Sequence, residues 1–228
     1  MFDMLLYGVL PYVAFTLAVV VGIYRYSRDR FSFSSFSSQL LENRWLFWGS
    51  VPWHYGIVIL LIGHLIGLVI PDAVAAWNGE PVRLYILEVT AFGLALFALL
   101  GIVVLFARRW FSLRLRIVTS RMDMLLVMLL LVQVSTGIAT ALGQRWGSWW
   151  YLSNAVPYLV SLATLQPQIQ YATTLPFPTQ IHVVDAFLLV AIFPFSRLVH
   201  IFTLPITYLW RGYQTVIWQR RQRRPDYS

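Results

Sequence analysis

The sequence predicts an all-α integral membrane protein with five transmembrane helices. Of its 228 residues, 59% are hydrophobic and only 11% are charged, and the mean hydropathy of +0.68 is far above that of a soluble domain. The apolar residues form five runs of about 20 residues, the length of a helix that spans a bilayer. We expect one membrane domain over residues 1–228 with a tail at 205–228. The runs cover residues 4–24, 51–70, 85–107, 123–142 and 181–204.

The charged residues predict the direction of these spans. The formal net charge of +8 comes from arginine, because the chain has no lysine. The arginines cluster after the first run, between the third and fourth, and after the fifth. By the positive-inside rule these segments are cytoplasmic, so the N-terminus is expected outside and the C-terminus in the cytoplasm of a multi-pass cell-membrane protein. Since the arginines flank lipid-spanning segments, the charge requires no nucleic-acid partner.

The first run resembles a signal peptide only in its position. It lacks a preceding basic segment and a following cleavage site of small residues, so we expect it to be retained as a helix. The chain also contains no cysteine. This excludes disulfides, iron–sulfur ligation, zinc–thiolate sites and covalently attached c-type haem.

All four histidines lie in or at the edge of apolar runs, His54 and His64 in the second and His182 and His200 in the fifth. An ionisable ring inside a bilayer is costly and is treated as functional by default, and neutral imidazole is a usual ligand of haem iron. The second and fifth spans are antiparallel in this topology. His54 and His200 therefore lie toward the cytoplasm and His64 and His182 toward the outside, which predicts two bis-histidine haem b groups in a di-haem bundle.

The spacing of the histidines is compatible with this pairing. At about 1.5 Å per residue, an unbroken helix separates His54 from His64 by roughly 15 Å and His182 from His200 by roughly 27 Å, with the two irons about 21 Å apart. Eighteen residues make five whole turns, which places the second pair on one face. Pro194 is a plausible bend that absorbs the mismatch. Such separations exclude one zinc or copper site made by all four rings.

Other residues are candidates for contacts with the haems. Gly56, Gly63 and Gly67 leave room for a flat macrocycle, although Gly63 and Gly67 also form the GxxxG pattern of helix packing. The haem propionates need partners near the cytoplasmic interface. The candidates are Arg109, Arg114, Arg116 and Arg197, with Tyr26 and Ser37 as hydrogen-bond donors.

Three polar residues near the outer side have more than one interpretation. Arg83 is a candidate quinol-headgroup contact or a side chain that reaches lipid phosphate. Glu88 is either a proton relay or a helix-pairing residue. Asp185 carries protons or holds a ligand ring by a hydrogen bond.

These residues resemble those of a known family, the gamma subunit, or membrane cytochrome b, of respiratory nitrate reductase. The resemblance covers nearly the whole chain and is strongest at residues 37–39, 54–67, 108–112 and 193–200. The last block is the most specific, because it joins a proline-bent helix to Arg197 and His200.

The resemblance implies a di-haem subunit of anaerobic respiration. It implies that His54 and His200 hold the inner haem iron, that His64 and His182 hold the outer one, and that quinol (menaquinol or ubiquinol) binds beside the outer haem. The cytoplasmic surface would dock an iron–sulfur subunit and a molybdenum catalytic subunit, where nitrate is reduced. The family's quinol site has a lysine near the start of the third helix, and alignment on Trp77 places Arg83 there.

We therefore assign Arg83, His64 and Gly63 to the quinol site and interpret the chain as the quinol-oxidising subunit of a quinol:nitrate oxidoreductase. Two alternatives remain open. One is a related cytochrome b that serves a disulfide- or sulfite-linked reductase, and the other is a non-redox membrane scaffold or transporter.

Overall fold

Five helices of this structure, a computed structural model, are long and apolar enough to cross a membrane. The structure describes residues 1–29, 44–144 and 147–203. The predicted propionate contact at Ser37 lies outside the described residues, as do the tail at 205–228 and residue 204 of the fifth run. The spanning helices are α1 (Leu10–Arg28, preceded by a π-helical segment, Met4–Val9), α2 (Arg44–Val69), α4 (Pro81–Phe111), α6 (Arg121–Gly143) and α10 (Phe177–Ile192).

Short helices fill the connections between the spans. The longest connection, residues 144–176, also holds a π-helical segment, Tyr151–Ala155. The short helices are α3 (Pro71–Asn78), α5 (Leu113–Val118), α7 (Gly147–Trp150), α8 (Val156–Ala163) and α9 (Gln170–Thr173).

The helices extend beyond the apolar runs where local sequence favours a helix. The third run, predicted at 85–107, is observed as Pro81–Phe111. It begins at Pro81, before the predicted start, because a backbone N–H in the first turn of a helix has no partner in the helix and proline lacks that N–H. It ends late because Arg108 and Arg109 lie in its last turn, where positive charge is favourable. At the start of α6, Ser120 and Asp123 form a capping box in which each side chain bonds the other's backbone N–H.

The fifth span is not the single helix over 181–204 that the apolar run predicts. Helix α10 ends at Ile192 and is followed by a 3₁₀ turn, Phe193–Phe195, an extended Ser196, and a second 3₁₀ segment, Arg197–Thr203. Proline removes a helix hydrogen bond and clashes with the preceding turn, which accounts for a break at Pro194. The roughly 27 Å separation and the shared face of His182 and His200 assume an unbroken helix, so the helix geometry no longer supports either estimate.

The spanning helices pack in the order α1, α10, α6, α4, α2. Within the described residues, α2 and α10 make at most marginal direct contact. Helices α4 and α6 lie between them in this order, and we call the space bounded by α2, the fifth span, α4 and α6 the cleft. One buried cluster, including Trp53, Ile102 and Val134, joins α2, α4 and α6.

The long connection is packed against α1 and α10. A second buried cluster includes Tyr7, Tyr158 and Phe187. The Tyr158 hydroxyl donates to the Tyr7 carbonyl at 2.6 Å, and burial raises the pKa of Tyr158. We call this end of the bundle, where α3 and the long connection lie, the His64 end. The opposite end, which carries α5, is the His54 end.

Candidate functional site

The structure brings the His54 and His200 rings together edge to face, between α2 and the last segment of the fifth span. Their ring centroids are 6.2 Å apart and their planes meet at 76°. His54 belongs to α2, and His200 to the 3₁₀ segment beyond the break in the fifth span. The break thus lies between His182 and His200.

Three histidines direct their Nδ1 atoms at backbone carbonyls of their own segments. The distances are 2.7 Å from His54 to Ser50, 2.7 Å from His64 to Leu60, and 2.6 Å from His200 to Arg197. A carbonyl only accepts, so Nδ1 carries the proton and Nε2 the lone pair. Among the described residues, none hydrogen-bonds Nε2 of His54 or His64. Rings oriented in this way are prepared to ligate a metal through Nε2.

The opposed rings have the separation expected of two ligands of one metal atom. A metal–imidazole nitrogen bond is about 2 Å long, so two rings on opposite sides of one atom have centres roughly 6 Å apart. The 6.2 Å between His54 and His200 agrees with this estimate. Over the described ranges, no three histidine, aspartate or glutamate side chains group together to hold an ion by themselves.

The second pair lies at the His64 end. His64 belongs to α2 and His182 to α10. His64 is exposed toward the cleft, whereas His182 is partly covered by α6. The structure thus brings His54 and His200 together and places His64 and His182 at the same end of the bundle; the pairing of the last two stays a prediction.

The three glycines around the α2 histidines differ in their surroundings. A Cβ at Gly56 would lie 2.8 Å from the Leu94 carbonyl of α4, and one at Gly67 would lie 2.9 Å from the Tyr151 ring. Helix and loop packing therefore accounts for both glycines. A Cβ at Gly63 would meet nothing within 4 Å, so this glycine leaves open space beside His64.

Tyr151 covers the other side of His64. Its hydroxyl donates to the His64 carbonyl at 2.8 Å, and the two rings meet edge to face at 5.2 Å. Burial raises the pKa of Tyr151, so its phenol stays a donor at neutral pH. The long connection is thereby attached directly to a candidate ligand helix.

The predicted propionate contacts gather only in part at the His54 end. Arg109 and Arg197 line a small polar cleft together with Arg108, Thr119 and Asp123. Arg197 is ion-paired to Asp123 at 2.7 Å, which is already the capping residue of α6. Arg114 and Arg116 lie on α5, and Tyr26 lies exposed near the end of α1.

The predicted quinol contacts are not all brought together. Arg83 is exposed in the first turn of α4, and its guanidinium lies 5.2 Å from the centre of the Trp77 ring. It shares the His64 end with His64 and Gly63. Glu88 accepts the Ser148 backbone N–H at 2.7 Å, so its observed role is to attach the long connection to α4.

Asp185 is buried in α10, and its Oδ2 has no hydrogen-bond partner among the described residues. It does not hold the His182 ring, because His182 Nδ1 bonds the Gln133 carbonyl of α6 instead, at 2.9 Å. The structure therefore does not support the interpretation that Asp185 holds the His182 ring, and proton carriage stays a prediction.

Several residues that support the candidate ligand histidines were not predicted from the sequence. Arg25 of α1 donates to the carbonyls of Pro194 and Ser196 at 2.8 and 3.1 Å and so caps the broken span. Gln133 was a detectable signal, because a lone amide inside an apolar run needs a partner. Tyr151 was not, since the long connection holds many aromatic residues.

Comparison with known proteins agrees with the resemblance. The family model described as nitrate reductase gamma subunit matches residues 3–219. The nitrate reductase gamma chain of Bacillus subtilis is 33% identical over 220 residues, which cover 95% of this chain and 98% of that protein. The respiratory nitrate reductase 1 gamma chain of Escherichia coli K12 is 29% identical over 94% of this chain and 96% of its own length.

A third relative is larger. The nitrate reductase-like protein NarX of Mycobacterium tuberculosis is 33% identical over 96% of this chain, but the match covers only 34% of that protein. The family match and the full-length relatives lead to one conclusion: this chain belongs to the nitrate reductase gamma subunit family.

Proposed function

We propose that this chain is the membrane electron-transfer subunit of a respiratory nitrate reductase, and that it oxidises quinol with two b-type haems. The observation that carries the proposal is the pair of rings His54 and His200, whose centroids lie 6.2 Å apart between α2 and the fifth span. Family membership supports the nitrate reductase complex as the setting. His64 of α2 and His182 of α10, which lie together at the other end of the bundle, support a second site there.

The residues present fit haem. Opposed imidazoles with protonated Nδ1 atoms and the space beside Gly63 are what a bis-histidine macrocycle needs. When bound, each haem would supply one-electron chemistry. The chain's own part is to hold the ligand nitrogens in place, keep water away from the cleft and neutralise the propionates, for which Arg109 and Arg197 are placed at the His54 end.

The arginines support an orientation with the His54 end in the cytoplasm. Arg25 and Arg28 end α1, Arg108 and Arg109 end α4, and further arginines lie on α5 and at the start of α6. Positive charge at one end of a bundle favours the cytoplasmic side. This end would dock the iron–sulfur subunit, and through it the molybdenum subunit that reduces nitrate.

The His64 end would then be the outer, quinol-oxidising side. His64, Gly63 and Arg83 would contact the quinol headgroup, with Arg83 leaving or sharing its place over Trp77. Arginine presents a planar fork where lysine presents a point charge, so the headgroup contact would differ from that of a lysine. Asp185, a buried carboxyl without a partner among the described residues, would carry a released proton.

The proposal predicts a specific loss in a histidine variant. In the purified complex, wild-type chain should bind two dithionite-reducible b-type haems and His64→Ala only one, because a haem left with one imidazole is held weakly. Quinol-dependent nitrate reduction should fall to background, while nitrate reduction with a viologen donor, which bypasses the outer site, should persist.

The matched control is Gln144→Ala, at the same end of the bundle but outside the cleft. It should keep both haems and full turnover. A colourless wild-type chain after adequate haem supply would refute the proposal. So would quinol-dependent turnover in His64→Ala that equals wild type. A different set of co-purified subunits would indicate another reductase.

A further inference from the structure

His182 differs from the other three histidines in how it is held. The Nδ1 atoms of His54, His64 and His200 bond carbonyls of their own segments. His182 Nδ1 instead donates to the Gln133 carbonyl of α6 at 2.9 Å. The orientation of this ring therefore depends on a neighbouring helix.

Three residues within about one turn of α6 surround the ring: Gln133, Thr136 and Gly137. We call them the α6 seat. Thr136 Oγ1 lies 3.4 Å from His182 Nδ1 and donates its own hydrogen to the Val132 carbonyl at 2.7 Å. Its lone pair is thus left to face the ring N–H. Gly137 supplies the room, because a Cβ there would lie 3.0 Å from His182 Cε1 and 3.4 Å from Nδ1.

The same glutamine also faces the other ring nitrogen. Gln133 Nε2 lies 3.3 Å from His182 Nε2, so the amide donates to the lone pair that a metal would use. The Gln133 Oε1 atom is buried without a partner among the described residues. A side-chain amide whose nitrogen is hydrogen-bonded while its oxygen is buried without a partner contributes little net stability. A ligand of the histidine nitrogen therefore displaces it easily.

We propose that the α6 seat positions the His182 ring and thereby tunes the outer haem, and that the Gln133 amide covers the ligand nitrogen until haem arrives. This inference rests on the proposed function. A hydrogen bond to Nδ1 raises the basicity of an imidazole ligand, which favours the oxidised metal and lowers the reduction potential. The outer site would take one such bond from α6, at His182, and one from α2, at His64, whereas the inner-site rings take theirs from their own segments. A displacement of the α6 seat would therefore act on the outer potential.

Gly137→Ala tests the positioning role. The added methyl pushes the ring away from the Gln133 carbonyl, so the midpoint potential of the outer haem should rise and its low-spin electron paramagnetic resonance signal should shift. The inner haem should keep both values. The control is Gly143→Ala on the same helix, where a Cβ meets nothing within 4 Å, and neither haem should change.

Gln133→Leu tests the covering role without filling the space. It keeps the backbone carbonyl that orients His182 and removes both the amide and its unpaired oxygen. Haem added to the haem-free chain should enter the outer site faster than in wild type, with the outer potential unchanged. This variant also decides the question if Gly137→Ala loses the outer haem altogether.

The failures of the two ideas are distinguishable. A wild-type chain without two haems refutes the proposed function. A wild-type chain with two haems, an unaltered outer potential and signal in Gly137→Ala, and unaltered uptake in Gln133→Leu overturns the α6 seat alone.

Discussion

Glycine has three distinct roles along α2, which only the surroundings of each residue distinguish. Gly56 allows α4 to approach, Gly67 allows the Tyr151 ring to approach, and Gly63 faces open space. A residue without a Cβ is costly inside a helix, by about 0.5–1 kcal/mol relative to alanine. Gly63 adjoins His64 and its missing Cβ leaves open space, which a haem edge would fill in the proposed function.

This difference predicts opposite effects of one substitution. Gly63→Ala should stabilise the haem-free chain by about 0.5–1 kcal/mol, because the new methyl meets nothing. In the haem-loaded chain it should lower the outer haem content, since the methyl would occupy space needed by the macrocycle. Thermal unfolding in detergent and haem quantification measure the two effects.

Gly22→Ala in α1 is the control, because a Cβ there also meets nothing within 4 Å. It should stabilise the chain and leave the haem content unchanged. Full outer haem content in Gly63→Ala would contradict the placement of a haem beside this residue.

The candidate ligand histidines were predictable from the sequence because an ionisable ring inside a membrane carries a free-energy cost. The residues that orient these rings were predictable only in part. Four histidines in apolar runs leave few interpretations. Gln133, by contrast, acts through its backbone carbonyl as well as its amide, and no side-chain pattern reports a backbone contact. Arg25 was interpreted only as a topology determinant, because its partners are carbonyls released by a break 169 residues away.

At the scale of the element, the broken fifth span is the main departure from a regular helix. Its free carbonyls are taken by Arg25, and its Arg197 is anchored to Asp123 at the capped start of α6. Pro194 was identifiable as a bend, but periodicity alone could not reveal the extended Ser196 that follows. The break matters because the Arg197 carbonyl is the partner of His200 Nδ1.

Arg25→Leu should therefore weaken the inner site selectively. Charge-assisted hydrogen bonds contribute about 1.5–3 kcal/mol each, and this variant removes two of them from the break. We expect lower occupancy of the inner haem and an intact outer haem, resolved by redox titration of the visible spectrum.

The control is Arg28→Leu, which removes the same charge as Arg25→Leu from the same helix. Arg28 is exposed, and its guanidinium lies 5.5 Å from the centre of the Tyr24 ring. It should keep both haems. Equal losses in the two variants would mean that positive charge at this end, rather than the capping of the break, supports the inner site.

At the scale of the molecule, one pair of helices packs the centre of the bundle and different segments carry the histidines. Helices α4 and α6 pack between the two outer walls, while α2 and the broken fifth span carry the candidate ligand rings. Apolar length predicted the five spans, because a bilayer allows little else. The packing order was not predictable, since every face of these helices is apolar and lipid and protein neighbours look alike in sequence.

The orientation of the whole bundle can be tested with single thiols, because the chain contains no cysteine. Ile117→Cys lies on α5 at the His54 end, where the side chain is 87% exposed. Gln166→Cys lies exposed in the long connection at the His64 end. If arginine determines topology, a membrane-impermeant maleimide added to intact cells should label Gln166→Cys and not Ile117→Cys. Inverted vesicles should give the reverse pattern. Labelling of Ile117→Cys from outside would place the His54 end outside the cell. The quinol site and the partner-docking surface would then have to exchange ends, and the proposed direction of electron flow would fail with them.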